Sequence, residues 1–112
     1  QARQIVVEEV QHPQRREKVD TRDNFNGQTA LHLAVEQRNS GVVDLLLAAG
    51  ADTNIQNKKG CTALHLAADQ SDGFFINVLL AAGADGNIQD KEGRTPLHLA
   101  ARKLANNWLH VN

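Results

Sequence analysis

A single cysteine, Cys61, in 112 residues leaves no partner for an internal disulfide, so a cross-linked framework is excluded and a reducing compartment suits the chain. Charge of one sign is missing as well. The formal net charge is −1 with both signs dispersed, and no block of like charge is offered to a nucleic acid or an anionic membrane surface. Apolar runs stay far short of a membrane span. Ile5-Val6-Val7 is followed by two glutamates, with no signal-peptide core or small-residue cleavage site. Nucleophile elbows, phosphate-binding glycine loops, zinc-ligand spacings and paired carboxylates are all lacking, so no catalytic, cofactor or metal residues are assigned. The expectation is a cytoplasmic and/or nuclear protein, or the cytosolic part of a larger one.

What the chain does have is repetition. Thr29-Ala30-Leu31-His32-Leu33-Ala34 returns as Thr62-Ala63-Leu64-His65-Leu66-Ala67 and as Thr95-Pro96-Leu97-His98-Leu99-Ala100, each with a glycine two residues ahead (Gly27, Gly60, Gly93). A second block, Leu46-Leu47-Ala48-Ala49-Gly50-Ala51-Asp52, recurs as Leu79-Leu80-Ala81-Ala82-Gly83-Ala84-Asp85 at the same period of 33. Two independent blocks keeping one spacing are a structural unit.

Within each unit the threonine is placed to cap a helix. Pro96 supports that start, because its missing N–H costs nothing at the first helical position. The first helix is predicted from Ala30 to about Gln37, a turn at Asn39-Ser40-Gly41, and a second helix over Val42–Ala48 stopped by Gly50. In the second unit Gln70-Ser71-Asp72-Gly73 is the expected turn. The third breaks off inside its second helix near Trp108-Leu109-His110. Leu31, Leu33, Val43, Leu46 and Leu47 are expected in the core at roughly 1.5–3 kcal/mol each once neighbours cover them. Three histidines invite a metal hypothesis, but copies a helix diameter apart (roughly 10 Å) cannot share an ion whose ligands sit about 2 Å away.

On these motifs the chain resembles the ankyrin repeat family, over about residues 23–112. The resemblance implies an all-α fold: an ankyrin-repeat solenoid of helix-turn-helix units joined by β-hairpin-like fingers. The units would be about 23–56, 57–89 and an incomplete 90–112. Residues 1–22 form an N-terminal flank, read as a degenerate capping repeat or as a docking peptide. The resemblance also implies that His32, His65 and His98 hydrogen-bond finger backbone and the neighbouring threonine.

Function by resemblance is non-catalytic: a protein partner gripped on a concave face of finger tips and first helices. Carried over position by position, the tip candidates are Phe25, Asn26, Gln28, Lys58, Lys59, Cys61, Lys91, Glu92 and Arg94. The helix candidates are Glu36, Gln37, Asp69, Gln70, Arg102 and Lys103. Phe25 is either tucked under its own tip or a contact anchor, and Phe74 either packs on its turn or joins an exposed patch. Cys61 is an exposed inert thiol unless Lys58 and Lys59 activate it. The Asn24-Phe25-Asn26-Gly27 tip, one residue longer than its counterparts, resembles the inhibitors of NF-kappa-B, which would make the partner a transcription factor of that type. The alternative is a targeting or assembly segment of a larger enzyme, channel or pathogen effector, with association through the incomplete third repeat. Seven Lys and Arg against nine Asp and Glu from Asp23 onward argue against nucleic acid, and no membrane insertion is expected.

Departures from the family pattern carry their own expectations. Arg38, Ser71 and Leu104 stand where the turn glycine is usual, so those turns should be longer or strained. Gly86 in place of an apolar residue should loosen the second finger. Asn54 and Asn87 have a spacing from Leu46/Asp52 and Leu79/Asp85 that resembles the target of an asparaginyl hydroxylase, beside a default role in turn hydrogen bonding.

Overall fold

The computed structural model describes the backbone of residues 18–111 and side chains through Lys103. The expected cap over residues 1–22 therefore lies mostly outside the described residues. Among the described residues, after a helical pair at Lys18 and Val19, five helices follow in order: α1 (Ala30–Glu36), α2 (Ser40–Ala48), α3 (Ala63–Asp69), α4 (Gly73–Ala81) and α5 (Pro96–Val111). α1 packs on α2 and α3, and α3 in turn on α4 and α5. Each first helix thus touches both its own partner and the next copy.

The threonine of each motif starts its helix by a reciprocal cap. Thr29 Oγ1 accepts the His32 N–H, and His32 Nδ1 accepts the Thr29 N–H at 3.1 Å. Histidine here fills the place that Glu or Gln holds in the common capping box. Thr62 and His65 repeat the arrangement, as do Thr95 and His98. The second helices start earlier than expected, α2 by two residues and α4 by one, because Asn39 and Asp72 cap them through their side chains. Ser40, Gly41 and Gly73 are therefore helical, not turn, residues.

The turns between paired helices are strained, as their lack of glycine implied, but not longer. Arg38 and Ser71 carry the left-handed conformation themselves, at φ 58° and 56°. The third copy has no such turn: α5 runs unbroken through Leu104. Ala105 stands where Asn39 and Asp72 cap, and alanine has no side chain with which to start a second helix.

Leu31, Ala34, Val35, Val43, Ala63, Leu64, Ala67, Phe75 and Leu79 form one buried cluster. Leu46 and Leu47 pack against it partly buried, and Leu33, expected inside, is 41% exposed. The cause is an end effect. Along the series Leu33, Leu66, Leu99 burial rises to 5% exposure at the last copy, whereas Leu31, Leu64, Leu97 run from 2% to 75%. The two leucines of one motif face opposite neighbours, so among the described residues each is bare at one end of the row.

The connecting loops contain no strand among the described residues. The second and third each close with two backbone bonds, Asn57 N–H to Cys61 C=O with Gly60 N–H to Asn57 C=O, and Asp90 N–H to Arg94 C=O with Gly93 N–H to Asp90 C=O, while the Asn57 or Asp90 side chain takes two further N–H groups of its loop. Successive loops share one backbone bond each, Lys58 N–H to Asn26 C=O at 3.0 Å and Lys91 N–H to Lys59 C=O at 3.1 Å, beside bonds from side chains. Gly60 (φ 80°) sits so close that an added Cβ would lie 2.8 Å from Lys91 N. Gly86 is the opposite case: nothing lies within 4 Å of its added Cβ and its φ is not left-handed, although Thr53 at the same position of the preceding copy is buried.

Gly60→Ala is accordingly expected to lower stability by more than about 1 kcal/mol, while Gly86→Ala raises it by about 0.4–1 kcal/mol. Urea midpoints of the two variants check this; equal shifts of one sign would contradict it.

Candidate functional site

The site begins with the buried histidines, which set the spacing of the loops. His32 Nδ1 already accepts from the Thr29 N–H, so the proton belongs on Nε2, which donates to Cys61 C=O at 2.9 Å. His65 does the same to Arg94 C=O at 2.9 Å. Each loop is thus pinned to the first helix of the copy before it. His98 keeps only its Thr95 partner among the described residues and is exposed. Among those residues no cluster of His, Cys, Asp and Glu could hold a metal.

Burial pushes the His32 pKa below its usual value, against the favourable pull of the Cys61 carbonyl. Protonating Nδ1 would also set it against the Thr29 N–H.

Loop geometry is organised by Asp23, Asn57 and Asp90, which the motif reading passed over. Asp23 Oδ1 accepts from the N–H of Phe25, Asn26 and Gln28. Asp90 accepts from Glu92 and Arg94 N–H and from Arg94 Nε at 3.0 Å. Burial alone would raise the Asp90 pKa, but these donors outweigh it and hold it low. The signal was available: an Asx residue recurs at the start of every loop.

The expected contact residues divide by what already occupies them. Phe25, Asn26, Lys58, Lys59, Lys91 and Glu92 at the loop tips are exposed, as are Glu36, Gln37, Asp69 and Arg102 on or beside the first helices. Cys61, Gln70, Arg94 and Lys103 are half-buried. Gln28 is a correction: it is buried, donating to Glu36 and accepting from Asn57 Nδ2, so it braces the loop instead of presenting a surface. Gln70 reaches back to Glu36 C=O, and Arg94 is held between Asp90 and Glu92 (3.0 and 2.8 Å). Gln28, Glu36 and Gln70 are therefore brought together, whereas the lysines remain without ion pairs among the described residues.

Phe25 stands out of its tip at 83% exposure, which settles its alternatives against tucking. Phe74 meets Phe75 edge-on at 5.4 Å yet stays 58% exposed. Cys61 is half-buried, and burial followed by the Asp90 charge raises its pKa, so Lys58 and Lys59 do not activate it. Asn54 does not spend its side chain on its own turn: the side-chain oxygen reaches the next copy and accepts the Asp85 N–H at 2.8 Å, while Asn87 is exposed.

Two pH effects follow. The unfolded chain protonates His32 first as acid is added, so stability is lost as pH falls below about 6.5; urea midpoints should drop there, and less steeply in His32→Gln. An equal slope in both would contradict this. Ionised Asp90 contributes stability that is complete above about pH 3.8 and lost as pH falls through its lower folded-state pKa. Asp90→Asn should therefore be less stable than the parent at neutral pH and approach it in strong acid.

Against known proteins, a family model described as ankyrin repeats (3 copies) matches residues 4–90 and, in a second placement, 37–109.

Proposed function

Because the chain belongs to the ankyrin-repeat family, we propose that it is a non-catalytic protein-interaction module. Its partner would be held on the concave side of a short solenoid, by loop tips and first helices. The observation that carries this reading is a division of labour: Thr, Leu and His of the motif are mostly buried, while the residues that differ between copies are mostly exposed. A constant frame with a changeable surface is how a repeat fold acquires a specific partner. No helix among the described residues is long and apolar enough to cross a membrane.

Residues 1–22 fit a degenerate preceding repeat better than a docking peptide, since the family match begins at residue 4. The finer reading, a regulator like the inhibitors of NF-kappa-B acting in cytoplasm or nucleus, rests on the Asn24-Phe25-Asn26-Gly27 tip and the Gln28-Thr29-Ala30-Leu31-His32-Leu33-Ala34-Val35 run that follows it. A second reading, an assembly segment of a larger protein, rests on an apolar patch beside the last described repeat motif. There Leu97 and Leu80 are exposed beside a cleft of about 260 Å³ bounded by Ile76 and Gly86. Hydroxylation, if it occurs, should favour exposed Asn87 over Asn54, whose side-chain oxygen is engaged.

A photoreactive residue at Lys59 or Gln37 is expected to cross-link proteins from cell extract, and one at Asp44 on α2 is not. Charge reversal at Lys58, Lys59, Arg102 and Lys103 together should abolish that capture without moving the melting curve. Capture from Asp44 as strong as from the tips, or capture surviving the reversal, would show the face to be wrong.

A further inference from the structure

The first two loop tips flank an open cleft of about 400 Å³ lined mostly by polar and charged residues. Arg22 and Lys58 both line it, and neither has an ion pair among the described residues. Lys58 Nζ donates to a neutral group, the Asn24 carbonyl, at 3.0 Å. The one carboxylate there, Asp23, turns into its own loop. Three backbone N–H groups meet its Oδ1 and hold its pKa below the usual value. Its charge is thereby met by peptide dipoles and does little to balance the two cations.

The same polarity extends along the loops. Lys59 and Lys91, linked through the Lys91 N–H to Lys59 C=O bond, are exposed, whereas Asp90 and Glu92 are both taken up by Arg94. Beside the cleft Phe25 projects into solvent. The tips thus present unbalanced positive charge and one bare aromatic ring on a chain whose net charge is −1. A lone surface cation is ordinarily just solvated. Two cations lining one concavity focus a positive field on an anion, and Phe25 in the adjoining tip offers a separate apolar contact.

We propose that this cleft docks an acidic, extended segment of a partner protein, with a carboxylate between Arg22 and Lys58 and an apolar side chain against Phe25. The inference rests on the interaction-module reading and narrows it to a partner chemistry. A nucleic acid would meet the same cations, but a longer polyanion would run into the acidic excess of the repeats.

The test is fluorescence anisotropy with a short labelled peptide of glutamate and glycine carrying one leucine. Its glutamine analogue and a labelled single-stranded oligonucleotide serve as comparisons. The glutamate peptide should bind and weaken with added salt. Glutamine in place of glutamate, or Arg22→Glu with Lys58→Glu, should each weaken binding about tenfold or more. The peptide comparison uses the unaltered protein, so it decides the matter even if the variant unfolds. Absence of binding by the glutamate peptide, equal binding by its glutamine analogue, or tighter binding by the oligonucleotide overturns the proposal. Cross-linking from Lys59 without peptide binding would remove the acidic partner alone; failure of both would remove the module reading too.

Discussion

A buried imidazole that must satisfy both its nitrogens is the constraint on which the rest depends. Nδ1 is satisfied at home by the threonine cap, and Nε2 can be satisfied only by a carbonyl of the next loop. An unmet buried donor costs about 1–3 kcal/mol. The cap that starts a helix and the bond that fixes its neighbour are therefore two ends of one side chain. This makes the period of 33 a physical requirement as well as a pattern: the next loop must arrive where the ring points.

From that anchor the loops are built inward. Asp23, Asn57 and Asp90 draw their own backbone N–H groups around a carboxylate or amide oxygen. Glycines at positive φ let each tip lie against the next. Because the polar groups of the frame satisfy one another, the side chains left over at the tips are those the frame does not need. The positive, partly aromatic crest is made of such residues.

The repeated elements were legible in the sequence because they obey local rules: threonine caps, leucine spacing and the helix-stopping glycines all stand where expected. What was not legible depends on neighbours. Leu33 and Leu97 occupy core positions of the motif and are nonetheless exposed, since burial there needs a copy on the matching side. Gln28 varies between copies as a contact residue would, yet a bond to Glu36 and another from Asn57 draw it inside. No strand forms in the described loops, because an Asx side chain takes N–H groups that a ladder would use. The unbroken α5 was readable only through a missing feature, the cap that Ala105 does not provide. Of the candidate site, the exposure of the tip lysines followed from position, whereas that of Phe25 was open until its surroundings were known, and Arg22 entered only when the cleft between two loops brought it beside Lys58.

The central claim is that His65 carries order from one copy into the next. Native-state amide exchange in the parent and in a His65→Leu variant tests it most directly. The account predicts faster exchange not only in α3 but also at Asp90, Lys91 and Gly93, whose N–H bonds belong to the loop that His65 holds. Loss of protection confined to α3, with the following loop unchanged, would contradict it.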